Sequence, residues 1–440
     1  MTVAAAEQEI GLGPRRLAWD VVGEVLRSRA ALDDAFEARR LRAHLSSRDE
    51  ALARAIATVA FRHFGTIRDA LAARLKEGLP SDERLLMLLV IGAAQILFLD
   101  VPNHAAVDTA VELARSDPRL RGIAGVVNAV LRRLARERDE TVAGADMLRD
   151  NTPEWLAERW ARRYGEDTAR AIAEAHARGA ALDVTVKADA QGWAERLGGV
   201  LLPTGSVRLL SRTGVPELAG FGEGAWWVQD AAAALPARLL SVQPGERVAD
   251  LCAAPGGKTA QLAAAGARVL AVDRSAKRLV RLAENMARLG LTVETAAADA
   301  TALEAEPFDA ILLDAPCSAT GTLRRHPDAA WTKRETDLDG LTTLQARLLD
   351  RAAALLRPGG RLVCCTCSLE PEEGEDQVAA FLGRHPAFRR EPVSADEVAL
   401  PDAVDRNGDL RTLPCLGFGP DLAERGMDGF FAARLVREDA

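Results

Sequence analysis

The spacing of apolar residues changes character along the chain. Through residues 14–140, apolar residues recur every three or four positions, with Arg, Asp and Glu between them. Three such segments are Leu17 to Leu26, Asp49 to Phe61 and Leu85 to Phe98. Short breaks rich in Gly, Pro or Asn separate the segments, at residues 78–80, 101–103 and 117–118. The pattern predicts an all-α bundle over residues 1–140.

The pattern becomes mixed over residues 141–230. Residues 181–187 alternate between apolar and polar positions, which is typical of a strand, and residues 198–210 predict further short strands joined by turns. We interpret residues 141–230 as a small α+β connector domain.

Strands alternate with helices from about Ala231 to the end of the chain. Short apolar runs predict buried strands, at residues 247–252, 268–273, 293–297 and 362–365, and within residues 308–317, where Asp314 to Cys317 lie at the carboxyl end. This order predicts a parallel, doubly wound α/β sheet over residues 231–440. Ligands bind at the carboxyl edge of such sheets, so the residues that follow each strand are the candidates for chemistry.

A glycine-rich turn follows the first of these strands. Gly256 and Gly257 let the backbone approach a ligand closely, and the helix start that follows offers unpaired N–H groups. The next strand ends at Asp273, 17 residues after Gly256, and Asp299 follows the third strand. This order favours a nucleoside-bearing cofactor, with a carboxylate accepting from ribose hydroxyls. The alternative is that each acid only caps the helix after it.

Two thiols are predicted at the same edge. Asp314 ends a strand and precedes Cys317 by three residues, whereas Cys367 follows the strand that contains Cys364 and Cys365. Free cysteines are usually inert core residues, and we keep that interpretation for the remaining four, Cys252, Cys364, Cys365 and Cys415. No cysteine spacing matches a structural zinc site, so we expect reduced thiols and no metal.

The residues Asp250 to Thr259 resemble the S-adenosylmethionine-binding turn of the NOL1/NOP2/Sun methyltransferases, and this resemblance extends over about residues 229–435. Residues 101–113 and 127–133 resemble the NusB-like RNA-binding domain at the front of the Sun/RsmB family of RNA cytosine methyltransferases. The resemblance implies a Rossmann-like class I methyltransferase domain preceded by a NusB-like bundle. The implied cofactor is S-adenosylmethionine.

The resemblance also implies roles for individual residues. The methionine end of the cofactor would be lined by Cys252, Ala253, Ala254, Pro255, Gly256, Gly257 and Lys258. Asp273 would bind the ribose, Asp299 would lie on the adenine side, and Asp314 would lie where cofactor and base meet. In this family, the cysteine of the Thr-Cys-Ser motif bonds to the base, and the cysteine after Asp-Ala-Pro assists release. These roles fall on Cys367 and Cys317; the reverse assignment stays open, because DNA cytosine methyltransferases use the cysteine after proline.

Two thiols suit methylation at carbon 5 of a pyrimidine. Carbon 5 is a poor nucleophile until a thiolate adds to carbon 6, and a base must afterwards remove the carbon 5 proton. A thiol of ordinary pKa is mostly protonated at neutral pH, so its pocket must favour the thiolate. Lys258 and the cofactor's sulfonium are the candidates for that effect, and Asp314 would bind the edge of the base.

Several charged groups have two interpretations each. Arg132, Arg133, Arg136 and Arg138 contact phosphate or solvate an exposed helix face. Arg324 and Arg325 contact phosphates beside an extruded base or form a solvated pair. The acids among residues 370–373 are interpreted as ordinary charge at a helix start.

Composition adds limits. Hydrophobic residues make up 48% of the chain and charged residues 27%, as in soluble globular proteins, and the net charge of −8 alone would not suggest nucleic acid. Neither a membrane span nor a secretory signal is evident, so we expect a cytoplasmic monomer. The family resemblance implies an RNA cytosine-C5 methyltransferase, and the small-subunit (16S) rRNA target is implied by that resemblance alone. The alternatives are a tRNA cytosine-C5 methyltransferase, a noncatalytic RNA-binding assembly factor and a small-molecule methyltransferase.

Overall fold

The computed structural model describes residues 3–210, 214–418 and 426–439, with the backbone alone for residues 3–10. The chain forms two compact units. The helical unit comprises Met1–Arg178 with Arg325–Arg334, and the sheet unit comprises Gly179–Arg324 with Glu335–Ala440. Because the first boundary falls inside residues 141–230, a connector that is a domain of its own stays a prediction.

Helices account for the secondary structure of residues 3–178 apart from turns. They are α1 (Val3–Ser28), α2 (Leu32–Ala43), α3 (Ser47–Arg62), α4 (Phe64–Ala72), α5 (Glu83–Phe98), α6 (Asn103–Ser116), α7 (Ala124–Arg136), α8 (Arg138–Ala143), α9 (Glu154–Tyr164) and α10 (Glu166–Arg178). The side chain of Asp82 starts α5 by accepting from the backbone N–H groups of Arg84 and Leu85. Since α5 is apolar around its whole circumference, it is buried at the centre of the bundle. The predicted all-α bundle is confirmed.

The rest of the chain alternates strands and helices. The strands are β1 (Leu182–Val186), β2 (Gly199–Leu201), β3 (Val207–Leu209), β4 (Trp226–Val228), β5 (Arg247–Leu251), β6 (Arg268–Asp273), β7 (Glu294–Ala297), β8 (Phe308–Asp314), β9 (Leu356–Thr366), β10 (Phe388–Arg390), β11 (Leu410–Thr412) and β12 (Phe430–Arg437). The helices are α11 (Ala190–Leu197), α12 (Leu235–Leu239), α13 (Gly257–Ala264), α14 (Ala276–Leu289), α15 (Asp328–Thr332), α16 (Asp337–Leu355), α17 (Glu375–Arg384) and α18 (Ala395–Val398).

The strands form two sheets. A small antiparallel sheet has the order β2-β3-β1-β4. The large sheet has the order β10-β12-β9-β8-β5-β6-β7, with β11 paired to β12. Its strands from β9 to β7 are parallel, as predicted, whereas β12 joins β9 in the antiparallel direction.

Both faces of the large sheet are covered. Alternate residues of β8 contribute to two separate apolar clusters: Ile311 and Leu313 pack with residues of α16 and α17, and Ala310 and Leu312 with residues of α12 and α13. This arrangement is the doubly wound layout that the continuous apolar runs predicted. None of the helices in the described ranges has both the length and the hydropathy needed to cross a membrane.

One short segment of the C-terminal half belongs to the helical unit. Residues 325–334, which include α15, follow the loop of Cys317 by only eight positions. Within that unit, Trp331 Nε1 donates to the carbonyl of Phe61 over 2.8 Å, and the N–H of Leu32 donates to Asp328 Oδ2 over 2.9 Å. The spacing of apolar residues did not predict that residues 325–334 belong to the helical unit.

Candidate active site

The carboxyl ends of β5, β8 and β9 meet at one edge of the large sheet. β8 lies between β5 and β9, and all three run in the same direction. Asp314 at the end of β8 pairs in register with Cys365 of β9. The loops that follow these three strands therefore emerge side by side, and they carry the glycine-rich turn, Cys317 and Cys367.

The two thiols predicted at this edge are in contact. Cys317 Sγ lies 3.5 Å from Cys367 Sγ, and the N–H of Gly321 donates to the carbonyl of Cys367 over 2.9 Å. The hydrogen bond with Cys367, followed by burial and by the nearby charges of Cys367 and Glu373, raises the pKa of Cys317 well above its ordinary value. Cys317 therefore keeps its proton and can donate it toward the sulfur of Cys367.

An ion pair lies beside the thiols. Lys258 Nζ donates to Asp314 Oδ2 over 2.8 Å and lies 4.8 Å from the ring centroid of Phe430. Burial lowers the pKa of Lys258, but Asp314, together with the sulfurs of Cys365 and Cys367, more than offsets this effect and raises it above the ordinary value. Lys258 thus carries a positive charge in a buried position next to a sulfur.

The other oxygen of Asp314 has a partner that the sequence interpretation missed. Cys365 Sγ donates to Asp314 Oδ1 over 3.5 Å, and burial, followed by the charge of Asp314, raises the pKa of this thiol well above its ordinary value. Cys365 was interpreted as an inert core residue. It is buried, but it also fixes the orientation of the Asp314 carboxylate.

The glycine-rich turn has the geometry of a ligand cradle. Gly256 has φ of +103°, where a side chain would be strained, and a Cβ there would approach Leu282 Cγ to 2.8 Å. The helix α13 begins immediately after it. Cys252 also adopts a left-handed φ of +64°, and burial raises the pKa of its thiol to about 12. Burial therefore keeps this thiol protonated, and its contact with the cofactor stays a prediction.

Two acids border this cradle. Asp250 is completely buried and accepts from Thr259 Oγ1 over 2.6 Å, while its Oδ1 has no hydrogen-bond partner among the described residues. Burial raises the pKa of Asp250 to about 7. Asp273 ends β6, accepts from the N–H groups of Ser275 over 2.8 Å and Ala254 over 3.3 Å, and is 3% exposed.

Asp299 differs from the other predicted acids. It follows β7, is exposed, and accepts from the N–H and hydroxyl of Thr301 over 2.9 and 2.8 Å. These hydrogen bonds lower its pKa. This is the local cap that the alternative interpretation expected, and a role on the adenine side stays a prediction.

The acids at 370–373 do stand at a helix start, but two of them are buried. Glu370 precedes a short 3-10 helix, Pro371–Glu373, which leads into α17 at Glu375, and Glu370 and Glu373 are each 1% exposed. Glu373 accepts from Ser318, next to Cys317, and from Gln345 of α16. In the sequence, the one local indication that hydrogen bonds join the two cysteine loops is the serine that directly follows each cysteine.

The structure contradicts the solvated pair for Arg324. This residue is 4% exposed, and its Nε donates to the carbonyl of Gly179 over 3.3 Å. Burial lowers its pKa, with the charges of Asp230 and Asp428 opposing that effect. Arg325 is exposed and belongs to the helical unit, and contact of either arginine with phosphate stays a prediction.

The four arginines at the end of the predicted bundle, Arg132, Arg133, Arg136 and Arg138, are exposed, and three of them have hydrogen-bond partners. Arg132 donates to Asn128, Arg133 forms an ion pair of 3.0 Å with Glu137, and Arg138 donates to the carbonyl of Ile96. Arg133 borders a hollow of about 470 Å³ that acidic residues line as well. These contacts fit a solvated face, and contact with phosphate stays a prediction. Within the described ranges, no cluster of three or more His, Cys, Asp or Glu could hold a metal ion.

Known proteins match both parts of the chain. The family model of 16S rRNA methyltransferase RsmB/F matches residues 237–436, and that of the NusB family matches residues 13–136. Ribosomal RNA small subunit methyltransferase B of Shewanella oneidensis is 34% identical, covering 96% of this chain and 99% of that protein. The Pseudomonas putida protein of the same name is 37% identical, covering 97% of this chain and 99% of that protein. The crystal structure of PH0851 has a TM-score of 0.72 at 24% identity, covering 96% of this chain and 98% of that one, which supports the fold.

Proposed function

The chain belongs to the RsmB/F family of 16S rRNA methyltransferases, and from this premise we propose that it methylates carbon 5 of a cytosine in small-subunit ribosomal RNA, using S-adenosylmethionine. The observation that carries the chemistry is the contact of 3.5 Å between Cys317 Sγ and Cys367 Sγ, beside the Lys258–Asp314 ion pair. A methyl transfer to an exocyclic nitrogen or a ribose oxygen would not require such a pair.

The residues of the glycine-rich turn fit the cofactor. The unpaired Oδ1 of Asp250 and the carboxylate of Asp273 can accept from its amino and ribose hydroxyl groups, and Gly256 leaves room for close approach of the backbone. When bound, S-adenosylmethionine supplies an electrophilic methyl group on a sulfonium. The residues from Cys252 to Lys258 would hold its methionine end.

Cys367 is the nucleophile in this proposal. Its sulfur forms a bond to carbon 6 of the cytosine, and the electron pair of the 5,6 double bond makes carbon 5 nucleophilic. Before attack, Cys317 donates its hydrogen bond to the Cys367 sulfur, and the positive charge of Lys258 acts on this sulfur electrostatically, so both stabilise negative charge on it. After methyl transfer, the adduct carries both a methyl group and a proton on carbon 5.

Cys317 removes that proton. It must first lose its own proton to solvent; its thiolate then takes the carbon 5 proton, the Cys367–carbon 6 bond breaks, and the 5,6 double bond re-forms. Cys367 leaves as a thiolate, and Cys317 again carries a proton. The cycle therefore releases one proton overall, as replacement of hydrogen by the methyl group of a sulfonium requires.

Asp314 positions the base. Lys258 holds Oδ2 and Cys365 holds Oδ1, so the carboxylate has a fixed orientation at the end of β8. A carboxylate in this place can accept from the 4-amino group of cytosine. Uracil has a carbonyl oxygen there and would repel it, which makes Asp314 a determinant of base choice.

The test uses the protein with methyl-labelled cofactor and separated small-subunit ribosomal RNA and transfer RNA. We expect label in ribosomal RNA, recovered as 5-methylcytidine after digestion. Label in transfer RNA would favour the alternative substrate, and label recovered on a nitrogen or a ribose would contradict the proposed chemistry.

A further inference from the structure

Glu373 is a buried carboxylate at the sheet edge that the proposed chemistry leaves without a role. It ends a short 3-10 turn, Pro371–Glu373, and is 1% exposed. Both its oxygens accept from the N–H of Ser318, over 3.0 and 3.1 Å, and Gln345 Nε2 donates to it over 3.0 Å. The hydroxyl of Ser318 donates to it as well. No Lys, Arg or His in the described ranges forms an ion pair with this carboxylate.

Hydrogen bonds connect this carboxylate to both sulfur-bearing loops. Ser318 follows Cys317 and Ser368 follows Cys367, and the two serine hydroxyl oxygens lie 3.1 Å apart. Gln345 also donates to the carbonyl of Pro316 over 2.9 Å, so α16 and Glu373 hold the Cys317 loop from both sides. Glu373 is thus the acceptor on which this group of donors converges.

Burial of a carboxylate costs folding free energy unless hydrogen-bond donors surround it. A carboxylate that is buried among donors, as Glu373 is, holds those donors in a fixed geometry. An apolar residue could fill the same volume but would not set the direction of the Ser318 N–H and hydroxyl. Displacement of a reacting group by about 1 Å can reduce a rate about a hundredfold. The position of Cys317 relative to the base is therefore the quantity that this network controls.

We propose that Glu373 is a positioning residue of the methyl transfer: by holding Ser318 it places Cys317 where it can remove the carbon 5 proton and complete release. The inference rests on the proposed function. It concerns Cys317 more than Cys367, because Glu373 binds Ser318, the residue after Cys317, directly, whereas Cys367 directly follows β9. Loss of Glu373 should therefore slow release more than adduct formation.

The test is Glu373→Gln in the full chain, assayed with labelled cofactor and small-subunit ribosomal RNA. The amide keeps the volume but presents N–H groups to donors that need an acceptor. We expect kcat to fall by about a hundredfold, KM for the cofactor to change less than about threefold, and a covalent RNA–protein complex to accumulate. Asp376→Asn is the matched control: it removes an exposed acid from α17 and should neither reduce kcat nor trap RNA.

A double variant separates positioning from a general folding defect. If Glu373 acts through Cys317, Cys317→Ala/Glu373→Gln should trap RNA to the same extent as Cys317→Ala alone. Lower activity of Glu373→Gln without trapped RNA would overturn the inference. So would a double variant that traps less RNA than Cys317→Ala alone, with the effects of the two substitutions adding. If Glu373→Gln does not fold, Ser318→Ala removes the bridging hydroxyl and faces the same criteria with a smaller effect. Failure of Cys317→Ala itself to trap RNA would instead contradict the proposed function.

Discussion

The two units of the chain bury polar side chains for different purposes. In the helical unit, the buried polar groups join helices, as where Arg15 donates to Gln95 over 2.9 Å. At the edge of the large sheet, buried charged groups such as Asp250 and Glu373 lie next to residues with candidate roles in catalysis. The comparison teaches that buried ionisable groups mark the candidate active site in this chain, whereas exposed arginines do not mark a site. Substitutions should therefore cost mainly stability in the first unit and mainly chemistry in the second.

The largest expected effect tests the chemical side of this comparison. Cys367→Ala removes the nucleophile and should lower kcat by at least ~10⁴-fold, measured as methyl transfer per minute. Cys364→Ala is the control, because that thiol lies three residues earlier in β9 and contacts only the carbonyl of Ala433 among the hydrogen-bond partners described. Equal activity of the two variants would remove the distinction between reacting and core thiols.

Replacing Lys258 by methionine should have the next largest effect. The change keeps much of the side-chain volume but removes the charge that pairs with Asp314 and acts electrostatically on the Cys367 sulfur, so we expect kcat to fall by about 10²–10³-fold. Lys187→Met is the comparison, since Lys187 donates only to the carbonyl of Leu289. The rate of methyl transfer under single-turnover conditions measures the effect on the chemical step. A change in the KM for the cofactor with unchanged kcat would show that Lys258 serves binding and not chemistry.

The raised pKa of Cys317 predicts a pH dependence of release. The hydrogen bond with Cys367 and the charge of that thiol are lost in the adduct, but burial and the charge of Glu373 remain and keep the pKa of Cys317 raised. The thiolate fraction then grows with pH, so adduct decay should accelerate by about tenfold per pH unit and continue to rise above pH ~8.5. Decay of a preformed RNA adduct, followed by denaturing gel electrophoresis at several pH values, measures this directly. A rate that is flat from pH 6 to 9 would show that Cys317 is not the base.

The smallest effect on chemistry is expected in the helical unit. Trp331→Ala removes contacts with Phe64 and the hydrogen bond to Phe61, and should lower the free energy of unfolding by about 2–3 kcal/mol. Trp331→Phe keeps a ring and should cost about 1 kcal/mol. Chemical denaturation measures both values. A loss of kcat at saturating RNA as large as that of Lys258→Met would break the comparison between the units.

Local pattern was enough to predict the sheet edge that carries the candidate active site. Strands buried on both faces are continuous apolar runs, so β6 was predicted with the ends that the structure has, and β8 with its carboxyl end at Asp314. The proximity of Cys317 and Cys367 followed because parallel neighbouring strands end at the same edge.

The features that the sequence did not predict depend on partners distant in sequence. Glu373 meets Ser318 across 55 positions, Arg324 meets Gly179 across 145, and Trp331 meets Phe61 across 270. A local window cannot distinguish such a buried charge from a solvated one, because both have the same polar neighbours in sequence. The contact of Cys365 with Asp314 was missed for a related reason. The apolar pattern correctly indicated a core position for Cys365, and that position does not reveal a hydrogen bond to a neighbouring strand.

The account depends most on the division of labour between the two thiols. Mass spectrometry of the Cys317→Ala variant, after incubation with cofactor and small-subunit ribosomal RNA and digestion of both polymers, locates the bond between protein and base. We predict a methylated cytosine nucleotide attached to the peptide that contains Cys367, and no adduct in a Cys317→Ala/Cys367→Ala variant. Absence of an adduct in Cys317→Ala, together with a cytosine bound to Cys317 in the Cys367→Ala variant, would contradict it.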